Sequence, residues 1–220
     1  MMPAANPQIL EHSPQPYVQT LVENFPVRTL SKGELLYHAG DLADTVYQVE
    51  EGLLKLSIDL ISGKERIISL AGPGDFLGAL TPAHHRYLES CEALSHRVSL
   101  SCIPANELRG HLQTEVYAAT GVYLSRFRDR LEDSELPVTA RLARTLVRLG
   151  KRFGTISEDQ TVHLTLPLTH DNFAAMVGAA RETTTALLSE MRDEGLVTGT
   201  RGRYCFKLDV LSDFAAEASF

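Results

Sequence analysis

Between Val27 and Ile103 the chain alternates apolar and polar residues in short runs, among them ELLYHAGD, TVYQVEEG, LLKLSIDLISGKERIISLAGPGD and RVSLSCIP. A period of two turns one strand face to a core and the other to water. Gly33, Gly40, Gly52, Gly63, Gly72, Gly74 and Gly78 punctuate these runs. Their spacing, about ten residues, is the rhythm of an antiparallel sandwich or barrel. IDLISGKERIISL predicts a hairpin with Ser62-Gly63 at its turn. Before the first run, residues 17–25 predict one short helix, and residues 1–16, with Pro3, Pro7, Pro14 and Pro16, predict a loose arm.

The period then changes. From Ala105 to about Glu135, Leu112, Val116, Ala119, Tyr123, Phe127 and Leu131 recur at steps of three and four, one stripe along a long helix. So long a helix cannot bury its whole length against a small β domain, and pairing with a second copy of the chain covers the rest. These six residues are therefore the expected dimer interface. Pro137 ends the helix, and PVTARLARTLVRLGKRFG begins another that closes at Gly154. A β run over Val162–Leu166 follows, then a helix capped by Thr169, a turn at Gly178, and a helix over ARETTTALLSEMRDEG that buries Leu187, Leu188 and Met191. LVTGTRGRYCFKL predicts two strands around a Gly199–Gly202 turn. The class is α+β: an arm (1–16), a β-roll sensor domain (17–104), a dimerisation helix (105–136) and a winged helix-turn-helix domain (137–220).

Composition narrows the chemistry. With 44% hydrophobic and 22% charged residues in 220, the chain reads as globular, and its net charge of −7 excludes a generally basic nucleic-acid coat. The charge is uneven: residues 1–136 carry 11 Lys and Arg against 18 Asp and Glu, whereas residues 137–220 carry 10 against 10. The C-terminal part is the less repelled by a polyanion. No run is long and apolar enough to span a membrane, and no secretory signal pattern opens the chain, so a cytoplasmic location without membrane contact is expected. Cys91, Cys102 and Cys205 form no C-x-x-C pair and read as small buried hydrophobes.

The second helix of the C-terminal pair carries the most specific chemistry, because a recognition helix reads base edges with its first residues. Arg181 has the fork for guanine O6 and N7, and Glu182 can accept from cytosine N4. Thr183 and Thr185 can reach phosphate or a thymine methyl; Ala180 and His170 adjoin them at the helix starts. Thr169 with the N-terminus of the first helix suits phosphate, as do Arg201 and Arg203 in the wing. The alternative is a solvated Arg-Glu face on a structural helix pair. A capped helix, a glycine turn and a basic hairpin around that dipeptide favour double-stranded DNA.

LTHDNFAAMVGAARETTTALLSEMRDEGLV, KGELLYHAGDLADTVYQVEEGLLKL and GPGDFLGAL together resemble the family of the cyclic-AMP receptor protein and the fumarate-nitrate regulator, over about residues 25–210. The resemblance implies a β-roll sensor, a long dimerising helix and a winged helix-turn-helix that binds palindromic promoters and engages RNA polymerase, here through loops such as 154–160. It places the family's base-reading Arg and Glu on Arg181 and Glu182, and a third base contact, commonly an arginine, on Ala186.

In cyclic-nucleotide-binding relatives a glutamate takes the ribose 2′-OH and an arginine the phosphate. Here those positions, beside Gly78 and Ser90, fall on Ala79 and Glu89. A carboxylate facing a phosphate is repulsive, so cyclic AMP is not expected to bind in the usual way. The protein then binds DNA without an effector, or takes another small anion, such as a carboxylate held by Arg86 and Arg126. His84, His85 and Glu89, with Cys91 or His96, resemble a metal set, but their spacing fits no zinc motif and the histidines read as surface residues. No cofactor is expected: an iron–sulfur cluster of the fumarate-nitrate regulator type would need cysteines that the N-terminal arm lacks. Other readings are a cupin-type metal enzyme, or a sensor that works through protein contact alone.

Overall fold

The computed structural model describes residues 24–78 and 85–219. The expected arm at 1–16 and most of the expected helix at 17–25 lie outside the described residues.

The alternating runs form eight strands: β1 (Val27–Ser31), β2 (Leu35–Tyr37), β3 (Thr45–Glu51), β4 (Leu54–Asp59), β5 (Glu65–Ala71), β6 (Phe76–Leu77), β7 (Ser90–Ala93) and β8 (Arg97–Pro104). They make two antiparallel sheets, ordered β1-β8-β3-β6 and β2-β7-β4-β5. Both close over one core that includes Leu30, Tyr47, Val49, Leu54, Leu56, Cys91, Val98 and Leu100. The expected hairpin is β4–β5: Asp59 pairs with Glu65, and Gly63 takes a φ of +76° in the turn, where a side chain would be strained.

The long helix, α1 (Gly110–Asp133), starts five residues later than its apolar spacing suggests. Ala105–Glu107 form a 3-10 turn, and Gly110 has a φ of +59°, which breaks the backbone just before the α-helix settles. At 24 residues it is about 36 Å long. The apolar stripe also needs correction. Leu112 and Val116 are buried within the protomer against Val46 and Ile103, and Tyr123 packs on the β-roll core. The residues left exposed are Tyr117, Leu124, Phe127 and Leu131. A helix wide enough to be apolar on two faces gives one to its own β-roll, and spacing cannot say which.

The C-terminal half consists of α2 (Val138–Phe153), β9 (Thr155–Ile156), β10 (Thr161–Thr165), α3 (His170–Val177), α4 (Arg181–Asp193), β11 (Thr198–Thr200), β12 (Arg203–Lys207) and α5 (Leu208–Glu217). Its sheet is ordered β11-β12-β10-β9. Sequence patterning missed α5, whose Leu211 and Ala215 pack into the shared core. α2 lies close on the sheet: a Cβ at Gly150 would stand 2.8 Å from the Phe206 ring and 2.9 Å from Val162. Of the cysteines Cys91 is buried, while Cys102 and Cys205 are half-buried; all three are free thiols.

The apolar core of this half does not stop at α2. Leu53, Ile67, Leu70 and Leu94 of the β-roll join Leu142, Leu146, Leu149, Phe173, Met176 and Leu188 in one cluster. Polar contacts reinforce the junction. Asp75 pairs with Arg126 of α1 (3.4 Å) and with Arg152 of α2, which also donates to the Leu70 carbonyl at 2.7 Å. Arg66 of β5 lies against Gly178, at the turn between α3 and α4.

Gly178 closes α3 with φ +65°, and its N–H donates to the Ala174 carbonyl. Gly178→Ala should therefore lower unfolding stability by about 1–2 kcal/mol, mostly through the left-handed backbone, because the tip of Arg66 can move aside. A urea midpoint equal to that of the parent would contradict this.

Candidate nucleic-acid interface and sensor pocket

Local chemistry sets the start of α3. Thr169 Oγ1 accepts from the Asn172 N–H at 3.2 Å, and Asn172 Oδ1 accepts from the Thr169 N–H at 2.9 Å. This reciprocal pair satisfies two donors that a helix start otherwise leaves open. After the left-handed turn at Gly178, Ala180 has an extended backbone and α4 begins at Arg181 without a side-chain cap. The first N–H groups of α4 are thus open to an external acceptor.

Arg181, Glu182, Thr183 and Ala186 are exposed, while Thr184, Leu188 and Met191 hold the opposite face in the core. Arg181 touches Asp171 at 3.5 Å, an exposed pair worth about 0–1 kcal/mol that a stronger partner can displace. Thr185 is differently placed: its hydroxyl lies 2.9 Å from His170 Nδ1, which ties α4 to α3. Burial, then Arg192 and Arg181, push the His170 pKa down, so the ring is neutral near pH 7 and adds no charge. Arg203 opens β12 and Arg201 sits in the wing turn at φ +54°, both exposed. The Gly202 carbonyl accepts from the Leu166 N–H at 2.8 Å and fixes the wing to the end of β10.

One open groove is lined by Thr169, His170, Asp171, Arg181, Arg201 and, from the β1–β2 turn, Lys32. Lys32 is a contribution that sequence reasoning missed. It is about 140 residues from its neighbours in the chain, and no local pattern marks it.

The sensor side is arranged otherwise. Ala79 and His84 lie outside the described residues. Gly78, Arg86, Glu89, Thr120 and Tyr123 line one cavity, and Asp75, Glu115 and Arg126 line its neighbour. Arg86 and Arg126 therefore do not converge. Arg86 donates to the Gly40 carbonyl at 2.5 Å and Arg126 is engaged by Asp75, which corrects the expectation of a shared carboxylate clamp. Ser90 Oγ accepts from the Ala39 N–H at 3.0 Å.

Glu89 is buried and accepts from the Tyr37 hydroxyl at 3.2 Å, beside stacked Tyr37 and Tyr87 rings 3.7 Å apart. Burial pushes the Glu89 carboxyl pKa up, against the smaller opposing effect of the Tyr37 hydrogen bond. Burial also raises Tyr37 and Cys91 well above their ordinary values. This interior favours neutral groups: Arg86 lines the same cavity but is held by the Gly40 carbonyl, and among the described residues no cation is in salt-bridge range of Glu89. Among the described residues no group of three His, Cys, Asp or Glu side chains is placed to hold a metal ion, and His85 is an exposed turn residue at φ +54°.

Residues 27–115 match the cyclic nucleotide-binding domain model and residues 140–212 the Crp-like helix-turn-helix domain model. The chain belongs to the CRP/FNR family of transcriptional regulators. A CRP-like cAMP-activated global transcriptional regulator of Mycobacterium tuberculosis is 25% identical over 173 residues, 76% of this chain and 77% of that protein. The transcriptional regulator LdrP of Thermus thermophilus is 26% identical over 205 residues, 87% of this chain and 98% of that protein. Among solved structures, a CRP/FNR-family transcriptional regulator from Thermus thermophilus superposes with a TM-score of 0.73 at 26% identity, covering 89% of this chain and all 100% of that one. A second CRP-family regulator from the same organism gives 0.74 at 22% identity, over 88% and 98%. These relatives are regulators rather than enzymes, so the cupin-type reading is set aside. No helix among the described residues of this CRP/FNR-family protein is long and apolar enough to cross a membrane.

A buried carboxyl with a raised pKa binds its proton more tightly folded than unfolded, so stability is lost as pH rises from about 4.5 through the folded value. Glu89→Gln keeps an acceptor for Tyr37 without the charge. Its melting temperature should exceed the parent's at pH 8 and approach it at pH 4.5; equal gaps at both pH values would refute the assignment.

Proposed function

We propose that the chain is a homodimeric, sequence-specific DNA-binding regulator of transcription that acts in the cytoplasm and does not need cyclic AMP. The observation that carries it is the free N-terminal end of α4, where Arg181, Glu182 and Thr183 stand exposed and Arg181 shares an open groove with Arg201 of the wing. Arg181 and Glu182 read a G·C pair; Thr169, Lys32, Arg201 and Arg203 fix register on phosphates. With Ala186 at the third position, discrimination rests on fewer contacts, each worth about 1–3 kcal/mol.

Dimerisation is supported by α1. Tyr117, Gly121, Leu124, Arg128 and Leu131 follow a four-three spacing on the outer face, with Phe127 beside them. Sustained exposure of Tyr117, Leu124, Phe127 and Leu131 on one helix calls for a partner, and a second copy supplies the same stripe. Two recognition helices would then stand about 34 Å apart, matching successive major-groove faces of a palindrome. The working units are the sensor to residue 104, the connecting helix to 136 and the DNA-binding unit beyond.

Independence from cyclic AMP is supported by Glu89. Where a cation would meet the cyclic phosphate, Glu89 puts a buried acid that supplies no positive charge, whereas the named relative from Mycobacterium tuberculosis is described as cAMP-activated. The turn at 157–160 offers RNA polymerase a stiff acidic surface: Asp159 is held charged by Lys207 at 2.6 Å and by the Ser157 and Thr161 hydroxyls.

Selection from random duplexes with refolded protein and no cyclic AMP should enrich a palindrome. Arg181→Ala should weaken binding to it by about 5- to 150-fold, and Lys32→Ala less but on all sequences alike. Enrichment only after cyclic AMP is added would overturn effector independence, and none under either condition would overturn DNA reading. Leu124→Glu should give a monomer by analytical ultracentrifugation at micromolar concentration; a variant as dimeric as the parent would remove the α1 interface.

A further inference from the structure

A cavity of about 220 Å³ opens between β5, α1 and α2; it adjoins the second β-roll cavity, with which it shares Leu70, Val122 and Arg126, and lies apart from the groove at the start of α4. Ile68, Leu70, Val122 and Leu149 give it apolar walls. Its polar lining is one-sided: Arg126, Arg130, Arg148, Lys151 and Arg152 against Asp129. Asp75 pairs with Arg126 and Arg152, and Asp133, itself buried, pairs with Arg144 and Arg148. Five lining cations thus meet three carboxylates, Asp75, Asp129 and Asp133, and Asp129 and Asp133 are shared with Arg128 and Arg144 outside the cavity, so the surplus is at least two positive charges.

Arg130 is where the surplus concentrates. Its guanidinium donates to the Thr145 hydroxyl at 3.2 Å and the Met176 carbonyl at 3.3 Å, both neutral, and has no carboxylate in salt-bridge range among the described residues. Burial, then Arg148 and Arg66, pull its pKa down to about 9, which leaves it charged at neutral pH. The buried Nε of Arg148 has no hydrogen-bond acceptor. A half-buried guanidinium without a counter-charge and an orphaned N–H beside open space are costly unless an external acceptor fills it.

We infer that this cavity binds a small phosphate monoester with an apolar body, its phosphate on Arg130 and Arg148 and its carbon skeleton against Val122 and Leu149. A phosphate monoester carries close to two negative charges at neutral pH, matching the surplus, and guanidinium forks suit its oxygens. A monocarboxylate would leave one charge uncompensated. Because Arg130 also holds the Met176 carbonyl of α3, the occupant bears on the helix pair that faces DNA.

The test is calorimetric titration of the full chain with phenyl phosphate, and with benzoate as the same body at single charge, at fixed ionic strength. Saturable binding of one phenyl phosphate per chain is expected, with benzoate at least tenfold weaker. Arg148→Gln should weaken phenyl phosphate about tenfold or more. That variant also frees Asp133, so two milder ones accompany it. Val122→Phe, which fills the cavity and keeps every charge, should abolish binding, and exposed Lys151→Gln should weaken it severalfold, while Lys64→Gln on the β4–β5 loop leaves it unchanged. No saturable heat up to about 10 mM, or binding indifferent to Val122→Phe and Lys151→Gln, would overturn the site. The titration contains no DNA, so its failure and a failure of DNA reading are separate results.

Discussion

The structure depends on the continuous apolar packing that joins β5 and its neighbours to the helices of the C-terminal half. Leu53, Ile67, Leu70 and Leu94 share one core with α2, α3 and α4. Burial of each such side chain is worth roughly 1.5–3 kcal/mol, more than the 0–1 kcal/mol of an exposed ion pair. The junction is therefore set first by apolar contact. The Asp75 contacts to Arg126 and Arg152 add direction, since a guanidinium fork and a carboxylate meet in few orientations.

That junction decides what the helix pair can do. α3 and α4 are held from behind by Phe173, Met176, Leu188 and Met191, from the side by the contact between His170 and Thr185, and at their turn by Gly178. What remains outward is the start of α4. A rigid scaffold with a short polar end is the arrangement that reads a groove, because fixed side chains lose little freedom on contact. The wing is anchored in the same way, through the Gly202 carbonyl and the Leu166 N–H.

The sensor half shows the opposite use of burial. Its interior holds Glu89, Tyr37, Tyr87 and Cys91 together, all with proton affinity raised first by removal from water. Clusters of cations lie elsewhere, at the junction of β5, α1 and α2 and in the groove at the start of α4. Burial and charge are thus used differently along the molecule: groups with raised proton affinity within the β-roll, guanidinium groups at the joints.

Much of this was legible in the sequence because the signals are local. Alternation marked the strands, Ser62-Gly63 the β4–β5 turn, Pro137 and Gly154 the limits of α2, and Thr169 with Gly178 the first helix of the pair; each acts within about four residues of itself. Other features required the folded chain. Leu112, Val116 and Tyr123 turned inward because α1 offers two apolar faces and only the β-roll surface selects between them. Arg86 and Arg126 parted because distant Gly40 and Asp75 each claimed one. Lys32 reached the groove, and Arg130 its cavity, through elements more than forty residues away in the chain. The sequence by itself determined the elements and the chemistry at the start of α4, since caps, turns and periodicity are short-range. Tertiary structure alone decided which helix face is free and where the uncompensated charge lies, since burial and pairing depend on every surface that closes around a residue.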